Sequence, residues 1–423
     1  TTDTLETVKN YWNHTVLDAA RKRIFPYVQS STQTNKLMGH SVVVTCGYDN
    51  YGNPNSIVKN YSNGPTETTT TTYENIVTPY WLLGRPTAIS IQYTGGGNTI
   101  TRTGTRVYAT NTNNLSTETW FAGTNNQIVD SYIYTPKGCL KYKTSTANGV
   151  SRTQTYRYYS DSIRVSIMSG PTNKDYVAYG FDSYGRIATK IGFSDFLITL
   201  TFDDFGRSTR EMSNTGVDAS VAYSWENPTV DPKPARYSIT KTGTDGSLVK
   251  SWLDKLGREI RNDVKGMDAT MIYTVSKYNL KGQLDSISDP YFATGAALWN
   301  RYIYDDYGRK TNLYKTSGRN TTWQYSNNSI TETTNLKSNT KTYSSDGTIS
   351  SATDNGGTLS YTYYPDRQVK TITAPGSITT SMQYDVAGNQ TQLTDPSAGT
   401  ITYTYDGFRQ LTSQLNARSQ TTQ

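Results

Sequence analysis

Apolar and polar positions alternate with a period of two over short stretches, and nearly every stretch ends in the same kind of break. Tyr302-Ile303-Tyr304, Tyr361-Thr362-Tyr363 and Tyr403-Thr404-Tyr405 each set two rings on one face of an extended chain. Alternation resumes beyond the breaks, as in Gly282-Gln283-Leu284-Asp285-Ser286-Ile287 and Arg409-Gln410-Leu411-Thr412-Ser413. This pattern predicts short strands joined by tight turns, hence an all-β fold.

The breaks are copies of one hexad: an aromatic residue, Asp, two variable residues, Gly, then usually Arg or Asn. The clearest are Tyr48-Asp49-Asn50-Tyr51-Gly52-Asn53, Phe181-Asp182-Ser183-Tyr184-Gly185-Arg186, Phe202-Asp203-Asp204-Phe205-Gly206-Arg207, Tyr304-Asp305-Asp306-Tyr307-Gly308-Arg309 and Tyr384-Asp385-Val386-Ala387-Gly388-Asn389. Looser copies are Leu253-Asp254-Lys255-Leu256-Gly257-Arg258, Tyr278-Asn279-Leu280-Lys281-Gly282-Gln283, Tyr363-Tyr364-Pro365-Asp366-Arg367-Gln368 and Tyr405-Asp406-Gly407-Phe408-Arg409-Gln410. An Asp opening a turn accepts a hydrogen bond from a backbone N–H two residues on, and Gly three residues later supplies the left-handed conformation that closes a hairpin. Within the regular runs neighbouring copies lie 21 to 26 residues apart, as from Gly185 to Gly206, Gly257 to Gly282, Gly282 to Gly308 and Tyr363 to Tyr384 to Tyr405, enough for two strands and two turns, so each repeat is one β-hairpin.

A lone hairpin is marginal in water, so the hairpins must stack side by side into one long antiparallel sheet, which twist makes curl. The spacing is regular over 178–423 and divergent over 1–177, with no clear linker between. Candidate loops are the Thr-rich Thr66 to Thr72, the Gly95-Gly96-Gly97 turn and Pro228 to Pro234. Asp3 to Arg23 has some helical spacing (Leu5, Val8, Trp12) and reads equally as a strand. The hexad at Tyr405 lies near the end of the chain and Thr1 begins mid-pattern, so uncapped sheet edges are expected and the fragment should fold poorly alone.

Composition sharpens this picture. Only 34% of the 423 residues are hydrophobic, yet 12% are aromatic and 35 are Tyr, too many rings for a disordered chain. The core is therefore expected to be built largely from tyrosine. The formal charge of +7 comes from Lys and Arg scattered singly, which does not make a nucleic-acid footprint. No apolar run reaches the ~20 residues of a membrane-spanning helix. A signal-peptide pattern is missing too, and the start at Thr1 reads as a processed or excised product. Cys46 and Cys139 read as free structural thiols, with a single bridge left open.

Material for chemistry is scarce. With His14 and His40 the only histidines, and both read as surface or turn residues, neither a histidine triad nor a multi-histidine metal site can be assembled. No phosphate-cradling loop, cofactor fingerprint or zinc-protease motif occurs. Asp203-Asp204 and Asp305-Asp306 could suggest paired catalytic carboxylates, but both sit in the hexad, where turn capping explains the first Asp and exposure the second. Tyr ladders and seven Trp could stack on sugars, against the plainer reading of packing between hairpins. Arg186, Arg207, Arg258 and Arg309 could line a cargo-facing wall, against pairing with neighbouring Asp or stacking on Tyr. No catalytic, cofactor-binding or metal residue is assigned; the residues singled out are those of the repeat.

The hexads resemble the Rhs or YD-repeat family from about Val42 onward. Ile24-Phe25-Pro26-Tyr27-Val28, the Tyr48 to Asn53 hexad with Pro54, and Trp81-Leu82-Leu83-Gly84-Arg85-Pro86-Thr87 are similar to the segment that opens the repeat region in Tc toxin B components and related large bacterial Rhs proteins. The resemblance implies a curving sheet that forms part of a hollow shell, secreted or at the cell surface, non-enzymatic, enclosing a toxin or effector polypeptide. Its implied partners are the rest of the shell, the enclosed polypeptide and other toxin or secretion components, with no nucleic acid. Teneurins use a comparable shell in adhesion, so a surface-exposed adhesion or carbohydrate-binding array is the alternative. Family shells often end in a self-cleaving protease segment with two Asp-Pro-x-Gly elements. Asp395-Pro396-Ser397-Ala398-Gly399 has one residue too many, and Asp289-Pro290 and Asp231-Pro232 lack the Gly, so no protease residues carry over.

Overall fold

The computed structural model describes residues 6–18, 20, 23–161, 163–171, 176–192, 195–216, 218–229, 232 and 234–423. Its strands form one antiparallel sheet of 36 strands, built hairpin after hairpin in chain order, as the hexad spacing predicts. One irregularity interrupts the order. Met271–Tyr278 pairs with both Leu284–Ser288 and the short Tyr291–Phe292, and Leu284–Ser288 then pairs with Trp299–Tyr304. Among the described residues no helix is long and apolar enough to cross a membrane.

One sequence expectation needs correcting, and one reading left open is decided. The threonine-rich stretch from Thr66 is no loop. It lies in the strand Thr66–Ile76, between Pro54–Tyr61 and Leu82–Gly95. Polarity suggested a loop there, but β-branched threonine prefers extended backbone and packs well on a pleated surface. Towards the N-terminus, Glu6–Asp18 is a strand paired with Arg23–Asn35, so the helical alternative fails over the described part. The four-residue step from Val8 to Trp12 is also a multiple of two, so it fits a strand as well as a helix. Residues 3–5, 19, 21 and 22 of that stretch, and Val230, Asp231 and Lys233 of the proline-rich stretch, lie outside the described residues. The Gly95-Gly96-Gly97 turn is present, with Gly95 paired to Asn98 across it.

The two faces of the later strands differ. Where Tyr361 and Tyr363 are half-buried, Thr362 between them is exposed and shares a hydrogen bond of 2.6 Å with Thr371 on the next strand. Thr201–Thr209, Thr331–Thr340 and Thr353–Thr358 meet in the same way, the cross-strand pairing that stabilises sheets. Full burial is rare. Among the described residues the buried apolar ones are Phe121, Ala147, Ala219, Ala235 and Ile260, with no tyrosine in that set. The expected tyrosine core thus takes the form of a half-buried layer, in which the ring packs on the sheet while the hydroxyl reaches a polar partner.

Two compact units are present. One holds the chain up to Thr153 together with Gln324–Glu332 and Lys337–Gln423, and the other holds Gln154–Trp323 and Thr333–Leu336.

Candidate functional site

Each hexad folds into the same small cage. At Asp182 the backbone N–H donates to Arg186 O (2.9 Å), and Gly185 N donates to Asp182 O (3.0 Å). Asp203 with Gly206 and Arg207, Asp254 with Gly257 and Arg258, and Asp305 with Gly308 and Arg309 repeat this pattern. The glycines take φ of 75° to 81° at these four turns, and the strand register shifts at Phe181, Phe202, Leu253 and Tyr304. This is a three-residue hairpin loop, a type I turn closed by a glycine bulge.

The carboxylate fills the cage. Asp305 Oδ1 accepts from Tyr307 N (3.0 Å) and Arg309 N (2.8 Å), while Oδ2 accepts from Arg309 Nε (2.7 Å). Asp182, Asp203 and Asp254 hold their arginines in the same way, and Arg258 Nη2 adds a second bond to Asp254 Oδ2 at 2.6 Å. In Asp49 and Asp385 the partner is the Asn53 or Asn389 amide, both at 2.8 Å, with Gly52 and Gly388 closing the turns. Asp406 accepts from Phe408 N and Gln410 N, and Arg409 replaces glycine at φ 65°. Partial burial is the largest single influence on the Asp49, Asp182, Asp203, Asp254 and Asp305 carboxyls and pushes them up. The converging hydrogen bonds outweigh it and leave all five below the usual aspartate value.

The flanking residues tie each hairpin to the next. Arg186 lies 4.6 Å from the centre of the Phe202 ring, Arg207 4.4 Å from Tyr223 and Arg258 4.4 Å from Tyr278, each ring lying about one repeat ahead. Tyrosine hydroxyls reach back. Tyr304 donates to Leu284 O (2.7 Å), Tyr405 to Gln390 O (2.8 Å), Tyr278 to Glu259 O (3.0 Å) and Tyr73 to Pro54 O (3.0 Å). In all four the acceptor is the residue just after the preceding hexad. The tyrosine therefore sets the register between repeats, and burial raises the Tyr304 and Tyr405 hydroxyl pKa.

Within the first unit the C-terminal hexads meet the N-terminal strands at a seam. Arg102 Nη2 binds Asp366 at 2.5 Å, Arg102 Nε donates to Val386 O at 2.9 Å, and the Asp366 side chain is only 1% exposed. Arg152 lies over the Phe408 ring at 3.9 Å and reaches Gln410 at 2.7 Å. In the opposite sense, Arg367 lies over Tyr61 at 4.8 Å and Arg409 over Phe121 at 5.0 Å. Backbones approach so closely that a Cβ on Gly407 would lie 2.5 Å from that of Ala147. Asn98–Thr101, Tyr364, Gln368 and Gln383–Val386 line a cavity of about 370 Å³ along the seam.

The RHS Repeat family matches residues 366–400 and 384–421, which span the hexads at Tyr384 and Tyr405. Solved structures match the fold almost from end to end. The crystal structure of TcdB2-TccC3-Cdc42 aligns at TM-score 0.73 and 9% identity, covering 98% of this chain and 32% of that one. That of TcdB2-TccC3 without its hypervariable C-terminal region aligns at 0.75, with the same identity and coverage. The Photorhabdus luminescens Tc holotoxin pore aligns at 0.74, again with 9% identity and with 98% and 32% covered.

The chain's C-terminal hexads carry RHS Repeat matches, and its fold is that of the Tc toxin structures.

It spans about a third of the length of the Tc toxin chains it matches, and at such identity the likeness is one of fold. No curated protein matches it in sequence. Further turns of this kind depart from the hexad in sequence. Thr135 replaces the Asp, its hydroxyl accepting from Cys139 N (3.1 Å) while Gly138 N donates to Thr135 O. Asn416 does so in the last turn, accepting from Arg418 N and Gln420 N at 3.0 Å. A polar residue five positions before a strand marks both, where Asp-x-x-Gly does not.

The remaining candidates have ordinary roles in the sheet. Asp204 and Asp306 are exposed beside their caging partners. Asp395 caps a hairpin, accepting from Ser397 N and Ala398 N; these bonds hold its carboxyl below the usual value. Asp289 accepts from the Asn300 amide at 2.7 Å. Cys46 and Cys139 are not joined in a disulfide. His40 is half-buried at the start of its strand, with Nε2 unpaired, whereas His14 is exposed in Glu6–Asp18. Among the described residues no three His, Cys, Asp or Glu side chains gather as a metal site.

Proposed function

We propose that this chain is a structural stretch of a secreted Rhs shell that secludes a toxin or effector polypeptide, with the rest of the shell and other toxin components as its partners and no chemistry of its own. The observation that carries this reading is the alignment of 98% of the chain with structures containing TcdB2-TccC3. The cages support it, because turn geometry and arginine occupy the hexad carboxylates and leave them unavailable as acids or bases. A sheet held together by turns, ring contacts and hydroxyl bonds between neighbours suits a wall, whose task is to persist.

The test is limited proteolysis of the protein as its gene encodes it, secreted into the medium. An enclosed polypeptide should resist protease while the sheet stays folded and become sensitive when denaturant opens it. Cleavage of the effector at the same rate as in free solution, with the sheet intact, overturns seclusion. Such a result accompanied by binding to glycans or cell surfaces would establish the adhesion reading in its place.

A further inference from the structure

Among the described residues three buried side-chain atoms lack a hydrogen-bond partner, and two of them, His40 Nε2 and Ser345 Oγ, belong to residues lining one cavity. This cavity of about 260 Å³ lies in the first unit, between the turn that joins Arg23–Asn35 to His40–Tyr48 and the turn from Ser344 to Gly347. The second turn is of the hexad kind, with Ser344 N donating to Thr348 O at 2.7 Å and Gly347 N to Ser344 O at 3.0 Å. A buried imidazole nitrogen without a protein partner points to a bound species.

Met38 lines the same cavity from two residues before His40. Its backbone N–H donates to Asn35 Oδ1 at 2.9 Å and Gly39 takes a φ of 65°, so the turn carrying both side chains is fixed locally. Glu6 is the one formally charged residue among the described residues of the lining, which favours a cation. An imidazole nitrogen and a thioether are the donors that soft ions such as Cu(I) select, whereas calcium and magnesium need several oxygens and a structural zinc needs four nitrogen, thiolate or carboxylate ligands. We propose that this cavity binds one soft monovalent cation, Cu(I) or its analogue Ag(I), through His40 Nε2 and Met38 Sδ. Glu6 balances its charge, Ser345 Oγ closes the far side, and the ion fastens the Asn35 to His40 turn to the Ser344 turn. The inference is independent of whether anything is enclosed.

The test is hydrogen exchange read by mass spectrometry, with and without Ag(I), on the protein as its gene encodes it. Cys46→Ser is included so that no thiol competes on the His40–Tyr48 strand. Ag(I) should slow exchange severalfold over 35–42 and 343–348 together. Met38→Leu and His40→Gln should each abolish that slowing, and Met38→Leu, which keeps an apolar side chain of similar size, should leave ion-free exchange unchanged. Absence of slowing overturns the proposal, as does slowing confined to one of the two segments, slowing retained in Met38→Leu, or equal slowing by zinc. None of these results would alter protease protection of an enclosed polypeptide.

Discussion

At the scale of single residues, the hexad Asp links turn geometry to pH. At Asp49, Asp182, Asp203, Asp254 and Asp305 the folded-state carboxyl lies below the usual aspartate value, so folding stabilises the charged form. That contribution is fully present above the unfolded value and is lost as pH falls through the folded one. Urea midpoints should therefore drop as pH falls below the unfolded aspartate value of about 4. In Asp305→Asn the drop should be shallower, with a loss near neutral pH of about 1 kcal/mol from the Arg309 contact. The turn itself should survive, because Asn279 already builds it, accepting from Lys281 N and Gln283 N at 3.0 Å. An unchanged pH slope in this variant would show that the carboxylate contributes nothing beyond an acceptor. The tyrosine hydroxyl is a separate contribution: Tyr304→Phe keeps the ring but leaves Leu284 O without its donor, and should cost about 1 kcal/mol in denaturant unfolding.

The hairpin is the scale at which the sequence was most legible. Asp, Gly and the preceding aromatic pair are local signals, so the turns at Asp182, Asp203, Asp254 and Asp305 could be read directly. Substituted copies were harder, since a threonine hydroxyl or an asparagine amide makes the same acceptor without the same letter. Threonine misled in the other direction: Thr66–Ile76 looked like a polar loop because its strand character comes from β-branching and pairing, which a hydropathy pattern does not register. Arg409 shows the turn's tolerance. Its left-handed backbone should cost about 1 kcal/mol, which Arg409→Gly would relieve while losing a cation–π contact of about 0.5–1 kcal/mol. Glycine should thus be nearly neutral, whereas Arg409→Ala keeps the strain, loses the contact and should be the less stable of the two. Thermal unfolding of both variants gives the order; alanine matching or exceeding glycine would mean that backbone strain is not the governing cost.

At the scale of the whole molecule, the seam was invisible in sequence. Arg102 and Asp366 are 264 residues apart, and neither sits in a motif that names the other. A hexad with Asp at its fourth position, Tyr363 to Gln368, read simply as degenerate; the structure shows that the departure supplies a partner for a distant strand. The Asp366 carboxylate is almost completely buried, so removing Arg102 leaves an uncompensated charge, a change that costs roughly 3 kcal/mol at full burial and less here because Arg102 is 22% exposed. Arg102→Ala should therefore raise hydrogen exchange in Asn98–Tyr108 and around 364–386 together, while exchange in Leu197–Phe202 of the other unit stays unchanged. Adding Asp366→Asn should restore part of the loss by removing the stranded charge. The single and double variants thus separate two causes: recovery in the double variant assigns the loss to the buried carboxylate, and equal exchange in both assigns it to the lost packing of the arginine against Tyr93, whose ring centre lies 5.5 Å away.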